Sequence, residues 1–146
     1  SFPTRRSSDL QIDEEAIMEE VIEGEEVSVP IINGKAYPVV KIEALKGKYY
    51  DFTSKYADGG SKLTISKFSE NLERELKDFT EKLYYGTKCK VYARIDYLIK
   101  DDKAYFMEVN TLPGLTSHSL LPKSLASCGM NYSEVLDLII KLSLGE

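Results

Sequence analysis

The sequence predicts an α+β domain: an antiparallel sheet with helices packed on one of its faces. Three observations carry that expectation. Asn33-Gly34, set between two runs rich in Val and Ile, is a strong signal for a two-residue hairpin. "KVYARIDYLI" and "AYFMEVN" are two further strand-like runs joined only by "DDK", and so short a link can join only antiparallel neighbours. Leu72, Leu76, Phe79 and Leu83, and again Val135, Leu138, Ile139 and Leu142, recur at helical spacing and give two helices with one apolar face each.

The elements follow in order. Residues 1–10, "SFPTRRSSDL", have no useful periodicity and resemble translated sequencing-adapter read-through, so the domain is read as 11–146. "AIMEEVI" is strand-like, and Gly24 breaks it. "EVSVPII" alternates, with Val27, Val29 and Ile31 on one face, and "AYPVVKI" is its return strand. Pro30 and Pro38 each lack a backbone donor and are expected at an edge or a bulge. Residues 46–66 are polar, aromatic and glycine-bearing without a sustained period, and read as a long loop. Ser69 can cap a helix whose first turn holds Glu70 and Glu73 and which ends at Gly86. Residues 119–127 read as a short helix closed by Gly129, and Asn131 with Glu134 forms the capping pair of the last helix.

Composition narrows the class. A chain of 146 residues is enough for one domain with a core. The net charge of −5 lacks the basic excess of a general nucleic-acid binder. No apolar run approaches the roughly 20 residues of a membrane span, and the N-terminus shows no apolar segment of a secretory signal. Cys89 and Cys128 match no metal-site spacing and read as free thiols in a reducing cytoplasm.

The chemistry lies in the second hairpin. With "DDK" as the connection, Lys100 pairs with Ala104, Asp96 falls opposite Glu108 and Arg94 opposite Asn110. Period-2 alternation then puts Arg94, Asp96, Glu108 and Asn110 on one face, and Ala93, Ile95, Tyr97, Tyr105, Met107 and Val109 on the other, the core face. Two carboxylates opposite one another in mid-sheet repel. A bound cation relieves that, and two carboxylates plus an amide oxygen are hard ligands that suit Mg²⁺ completed by water or phosphate. Arg94 would then meet an anion, and the loop 112–117 would add backbone N–H groups and hydroxyls. The same quartet also fits a plain solvated face of an open antiparallel sheet.

The run "ARIDYLIKDDKAYFMEVNTLPGLTSHSLLP" resembles the C-terminal signature of D-alanine–D-alanine ligases, members of the ATP-grasp superfamily. Its E-x-N-T-x-P-G-x-T-x-x-S element is highly specific. The resemblance implies an ATP-grasp C-terminal domain that ligates two D-alanines through an acyl phosphate, for peptidoglycan precursor synthesis. It implies Asp96, Glu108 and Asn110 as ligands of two Mg²⁺ ions, Mn²⁺ being able to replace them. Arg94 and the backbone of Gly114 would stabilise the tetrahedral intermediate. Ser119 would contact the carboxylate of the second D-alanine. "MEEVIEGEEVSV" is similar to the nucleotide segment, with Glu19, Glu20 and Ile22 toward adenine and Glu26 toward ribose. "YYDFTSKYADGG" resembles the mobile lid, with Lys55 and Tyr56 closing over phosphates and substrate. The tyrosine implies D-Ala-D-Ala rather than D-Ala-D-lactate as product. His118 matches part of a structural turn and is not assigned a catalytic role.

The family's subunit is longer than this chain. The resemblance therefore implies a fragment that lacks the N-terminal domain and the first part of the central domain, inactive alone. It also implies a cytoplasmic enzyme, homodimeric at full length, with ATP and D-alanine as its small-molecule partners and no nucleic acid or membrane. Two other readings stay open: another ATP-grasp carboxylate–amine ligase, and a nucleotide- and Mg²⁺-binding domain without turnover.

Overall fold

The structure is a computed structural model that describes residues 20–44 and 61–145. Among the described residues six strands and three helices follow in the order β1 (Glu25–Ile32), β2 (Lys35–Ala36), β3 (Val40–Ala44), β4 (Ser61–Ile65), α1 (Glu70–Gly86), β5 (Tyr92–Lys100), β6 (Lys103–Asn110), α2 (Leu120–Ala126) and α3 (Tyr132–Leu144). All pairings are antiparallel, in the order β4-β3-β1-β5-β6, with β2 also on β1.

The first hairpin forms as its turn residues require. Asn33 and Gly34 both take positive φ (49° and 76°), the pattern of a two-residue turn that matches strand twist. The return strand is not continuous: residues 37–39 interrupt it between β2 and β3. The two prolines explain this break. In an antiparallel strand the N and O of one residue point the same way. The Pro30 carbonyl accepts from the Tyr37 N–H at 2.8 Å, so its missing donor faces the interruption and costs the sheet no hydrogen bond. Pro38 lies within the interruption, and its carbonyl accepts from the buried Ser124 hydroxyl of α2 at 2.6 Å.

Helices cover both faces of the sheet, not one. On the face of Val27, Val29, Ile95, Tyr97 and Ile99, α1 packs Leu72 and Leu76 into the main core. On the other face α2 and α3 close over Ile32, Val40 and Ile42 through Leu120, Leu121, Leu125, Val135 and Ile139. Full burial of each such side chain stabilises by about 1.5–3 kcal/mol relative to exposure.

Several expectations change in detail. The buried row of α1 is Leu72, Leu76, Thr80 and Tyr84, while Phe79 turns outward. Thr80 reads as polar in the sequence, but its hydroxyl shares a 2.8 Å hydrogen bond with the buried Tyr97 phenol. Burial, chiefly, pushes that phenol up to about 12. Ser69 caps α1 as expected, accepting from the Leu72 N–H, and the helix runs through Gly86 to a C-cap at Thr87. The capping pair Asn131–Glu134 forms at α3. Residues 61–65, read as loop, are strand β4: Leu63 lies opposite Ile42 and packs beside it. Of the strand expected in "AIMEEVI", residues 20–22 carry no strand, and 16–19 lie outside the described residues.

The second hairpin turns on Asp101 and Asp102, both at positive φ, so Lys100 pairs with Lys103 and not with Ala104. A bulge then leaves Met107 unpaired between Phe106, opposite Tyr97, and Glu108, opposite Asp96. The bulge restores the expected pairs at the far end. Between turn and bulge the shorter turn moves Phe106 to the face of Tyr97 and Tyr105 to the other, and Tyr105, Phe106 and Met107 are all exposed rather than core. The shorter turn and the extra residue thus cancel, and the polar face keeps its composition.

Candidate active site

The face opposite α1 holds the polar residues. Arg94 lies opposite Asn110 and Asp96 opposite Glu108, as the period of the strands requires. β1 borders β5 on its other side, and there Ser28 lies opposite Asp96 and Glu26 opposite Leu98. Glu26 and Ser28 therefore join the same face. Ser28 and Asp96 are buried, at 0% and 4% exposure.

Both oxygens of Asp96 accept hydrogen bonds. The Ser28 hydroxyl donates to its Oδ1 at 2.7 Å, Arg94 Nε donates to Oδ1 at 2.9 Å, and Arg94 Nη2 donates to Oδ2 at 2.7 Å. The ion pair is a two-pronged fork with both side chains largely withdrawn from water. Glu108 differs: β6 is the last strand of the sheet among the described residues, and Glu108 is exposed. The expectation that facing carboxylates demand a cation between them is therefore corrected. Arg94 already balances Asp96, and Glu108 reaches solvent.

The donor set nevertheless fits a hard cation. Among the described residues Asp96 Oδ2 accepts one hydrogen bond and keeps an acceptor direction, Glu108 is exposed, and Asn110 Oδ1 accepts from the Leu112 N–H at 3.2 Å. Among the described residues no group of three or more His, Cys, Asp and Glu side chains gathers as a metal cage. A site of two carboxylates and one amide completed by water or phosphate needs no such cage.

The loop after β6 is held by its own hydroxyls. Ser119 Oγ accepts from the Thr116 N–H at 3.1 Å and lies 2.9 Å from Thr116 Oγ1. A Cβ on Gly114 would sit 3.1 Å from Ser119 Oγ, so the glycine lets the chain pass close to that hydroxyl. Tyr132, the first residue of α3, anchors the loop by donating to the Leu115 carbonyl at 2.6 Å. His118 is exposed and lies 3.3 Å from Ser117 Oγ through Nδ1.

The structure thus brings together Glu26, Arg94, Asp96, Glu108 and Asn110 on one face, with Gly114 and Ser119 in the loop that leaves it. Glu20 is exposed and Ile22 half-buried ahead of β1. Glu19, Lys55 and Tyr56 lie outside the described residues. Ser28 was missed. The signal was a hydroxyl inside an apolar run, and it acquires meaning only once β1 is known to border β5.

Comparison with known proteins places this geometry. Residues 6–141 match the family described as D-ala D-ala ligase C-terminus, a match that begins inside the segment 1–10. A D-alanine–D-alanine ligase of Clostridium perfringens (strain SM101 / Type A) is 47% identical over 135 residues, covering 92% of this chain and 44% of that protein. Among solved structures, D-alanine–D-alanine ligase from Bacillus anthracis complexed with ATP aligns with a TM-score of 0.72 at 37% identity, covering 86% of this chain and 40% of its own. A D-Ala:D-Ser ligase from Enterococcus faecalis aligns with a TM-score of 0.70 at 30% identity, covering 85% of this chain and 37% of its own. The chain spans less than half the length of these relatives.

Proposed function

The chain belongs to the D-ala D-ala ligase C-terminus family, and from that premise we propose that it is the C-terminal catalytic part of an ATP-dependent D-alanine–D-alanine ligase. The observation that carries the reading is the quartet of Arg94, Asp96, Glu108 and Asn110 on one face of a two-stranded ribbon, beside a loop built on Gly114 and Ser119.

In this reading Asp96, Glu108 and Asn110 hold Mg²⁺, or Mn²⁺, which when bound neutralises charge on the ATP phosphates. The carboxylate of the first D-alanine takes the γ-phosphoryl group and ADP departs. The amine of the second D-alanine then attacks the acyl carbon, the acyl C–O bond breaks, and inorganic phosphate leaves with the electron pair. Such transfers depend mostly on positioning and charge stabilisation. Arg94 supplies a planar cation for the oxyanion, and the exposed Gly114 offers its backbone to the same intermediate. Ser119 contributes its hydroxyl to the second D-alanine's carboxylate once it exchanges its bond to Thr116. Glu20, Ile22 and Glu26, with Glu19, line the nucleotide, and Lys55 and Tyr56 close over the phosphates.

The chain spans less than half the length of these relatives, and we propose that the 146 residues alone bind without turnover. Cys89 and Cys128 are both free, and no helix among the described residues is long and apolar enough to cross a membrane. With ATP as substrate, we place the enzyme in the cytoplasm, as a homodimer at full length.

The test is a chimera in which residues 11–146 replace the matching segment of the Clostridium perfringens relative. Supplied with ATP, Mg²⁺ and D-alanine, it is expected to release ADP and phosphate in step with D-Ala-D-Ala, and Asp96→Asn is expected to abolish this. D-serine and D-lactate are offered as competing second substrates, because a D-Ala:D-Ser ligase is among the structural relatives. A chimera that folds, binds ATP and prefers either competitor overturns the product assignment. Dipeptide formed by the 146-residue chain itself overturns the fragment reading.

A further inference from the structure

We propose that Ser28 is a positioning residue for Asp96, holding Oδ1 in place when the Arg94 fork gives way to a divalent cation. The inference rests on the reading of Asp96 as a metal ligand. Three donors meet this carboxylate, and they are not alike. Arg94 contributes two charged N–H groups, one on each oxygen. A cation arriving at Oδ2 meets Nη2, a like charge, on the same oxygen, so cation and guanidinium compete for it. Ser28 is neutral and sits on the other oxygen, 2.7 Å from Oδ1. It is the one donor that a cation has no reason to displace.

The placement also suits the task. Ser28 and Asp96 are direct cross-strand partners, so the separation of their Cβ atoms is set by the sheet and not by flexible side chains. Across β3 the opposite neighbour of Ser28 is Val40, which has no polar atom to compete for the hydroxyl. Ser28 is fully buried, so water cannot take its place as donor without opening the sheet. Fixing Oδ1 fixes the rotation of the carboxylate and with it the place of Oδ2; Glu108 is the cross-strand partner of Asp96 on the side away from Ser28. Release of Arg94 then has a consequence. With a cation held by Asp96, the Arg94 guanidinium would be free for the substrate oxyanion, while Ser28 would keep the carboxylate from swinging after it.

The experiment uses Mn²⁺ with the 146-residue chain, followed by loss of the free-ion paramagnetic resonance signal. Ser28→Val and Ser28→Thr have nearly the same shape and differ in the hydroxyl, so a packing effect falls on both. Ser28→Val is expected to weaken Mn²⁺ binding at least tenfold, the usual effect of removing a partner that orients a ligand, and Ser28→Thr to stay within about threefold of the parent. With Mg²⁺ the Arg94 Nε–H resonance is expected to move toward that of a free guanidinium in the parent and in Ser28→Thr, at lower Mg²⁺ than in Ser28→Val. Equal Mn²⁺ affinity in Ser28→Val and Ser28→Thr overturns the role of Ser28 while leaving Asp96 as a ligand. Mn²⁺ binding unchanged by Asp96→Asn, or no binding to the parent chain, overturns the metal reading and this inference with it.

Discussion

Replacing Arg94 by methionine tests the centre of the site directly. Methionine keeps an unbranched stem in place and withdraws both prongs of the fork. The side chains of Arg94 and Asp96 are 12% and 6% exposed, so this is a buried pair. Exposed pairs are worth about 1 kcal/mol or less, but removing one partner of a buried pair costs about 3–5 kcal/mol, because the charge left behind is unpaired. A second route gives the same range: two hydrogen bonds to a charged group at about 1.5–3 kcal/mol each. Domains of this kind have roughly 5–15 kcal/mol in total, so Arg94→Met loses about a fifth or more. With a urea slope of about 2 kcal/mol/M the midpoint falls by about 2 M. The assay is urea unfolding followed by far-ultraviolet circular dichroism. Arg94→Met/Asp96→Asn is expected to recover much of the loss, since a neutral amide leaves no unpaired charge. An Arg94→Met midpoint indistinguishable from the parent refutes the reasoning, for it means that the Asp96 carboxylate is solvated.

Tyr97 gives an alkaline signature. Its phenol rises from 10.0 unfolded to about 12 folded, so the folded state holds its proton longer; this contribution is fully present below pH 10 and is lost as pH rises toward 12, about 2–3 kcal/mol in all. Tyr97→Phe is expected to flatten the stability curve in that window, and parallel curves for parent and variant count against it. Deleting Met107 removes the bulge and, with a two-residue turn, leaves Glu108 opposite Asp96. The variant is expected to fold and to retain its Mn²⁺ affinity within about threefold, whereas a three-residue turn in the same deletion would put Glu108 opposite Tyr97, in the core, and destroy binding.

Much of this architecture could be read from the residues because it is local. The caps Ser69 and Asn131 announce themselves, and the Asn33-Gly34 turn has few alternatives. The quartet was legible because strands alternate strictly and one bulge compensated for one miscounted turn. What was not legible depends on neighbours far along the chain. Leu63 and Ile65 are too weak a pattern to declare a strand until the edge of β3 offers partners. Nothing in the apolar faces of α1 and α3 says that they take opposite sides of the sheet. The fork itself was available, since positions 94 and 96 point the same way; the expectation sent Arg94 outward to a substrate instead of back to its neighbour.

The fork also bears on the two meanings that the sequence left open for the quartet. A solvated polar face would leave every member wet. Glu108 behaves so, but Asp96 does not: it is 4% exposed and holds a buried hydroxyl and a largely withdrawn guanidinium around it. Such a cluster is a poor device for stability, because well-packed apolar residues in place of a buried ion pair are often neutral or stabilising. The sheet around it has apolar side chains in abundance, with Val40, Ile42 and Leu120 packed on the same face. A fold selected only to hold together gains nothing by placing Ser28, Arg94 and Asp96 there. Each of the three is explained if the carboxylate must stay charged, stay oriented and exchange one cation for another, with the exposed Glu108 and the half-buried Asn110 waiting at the rim.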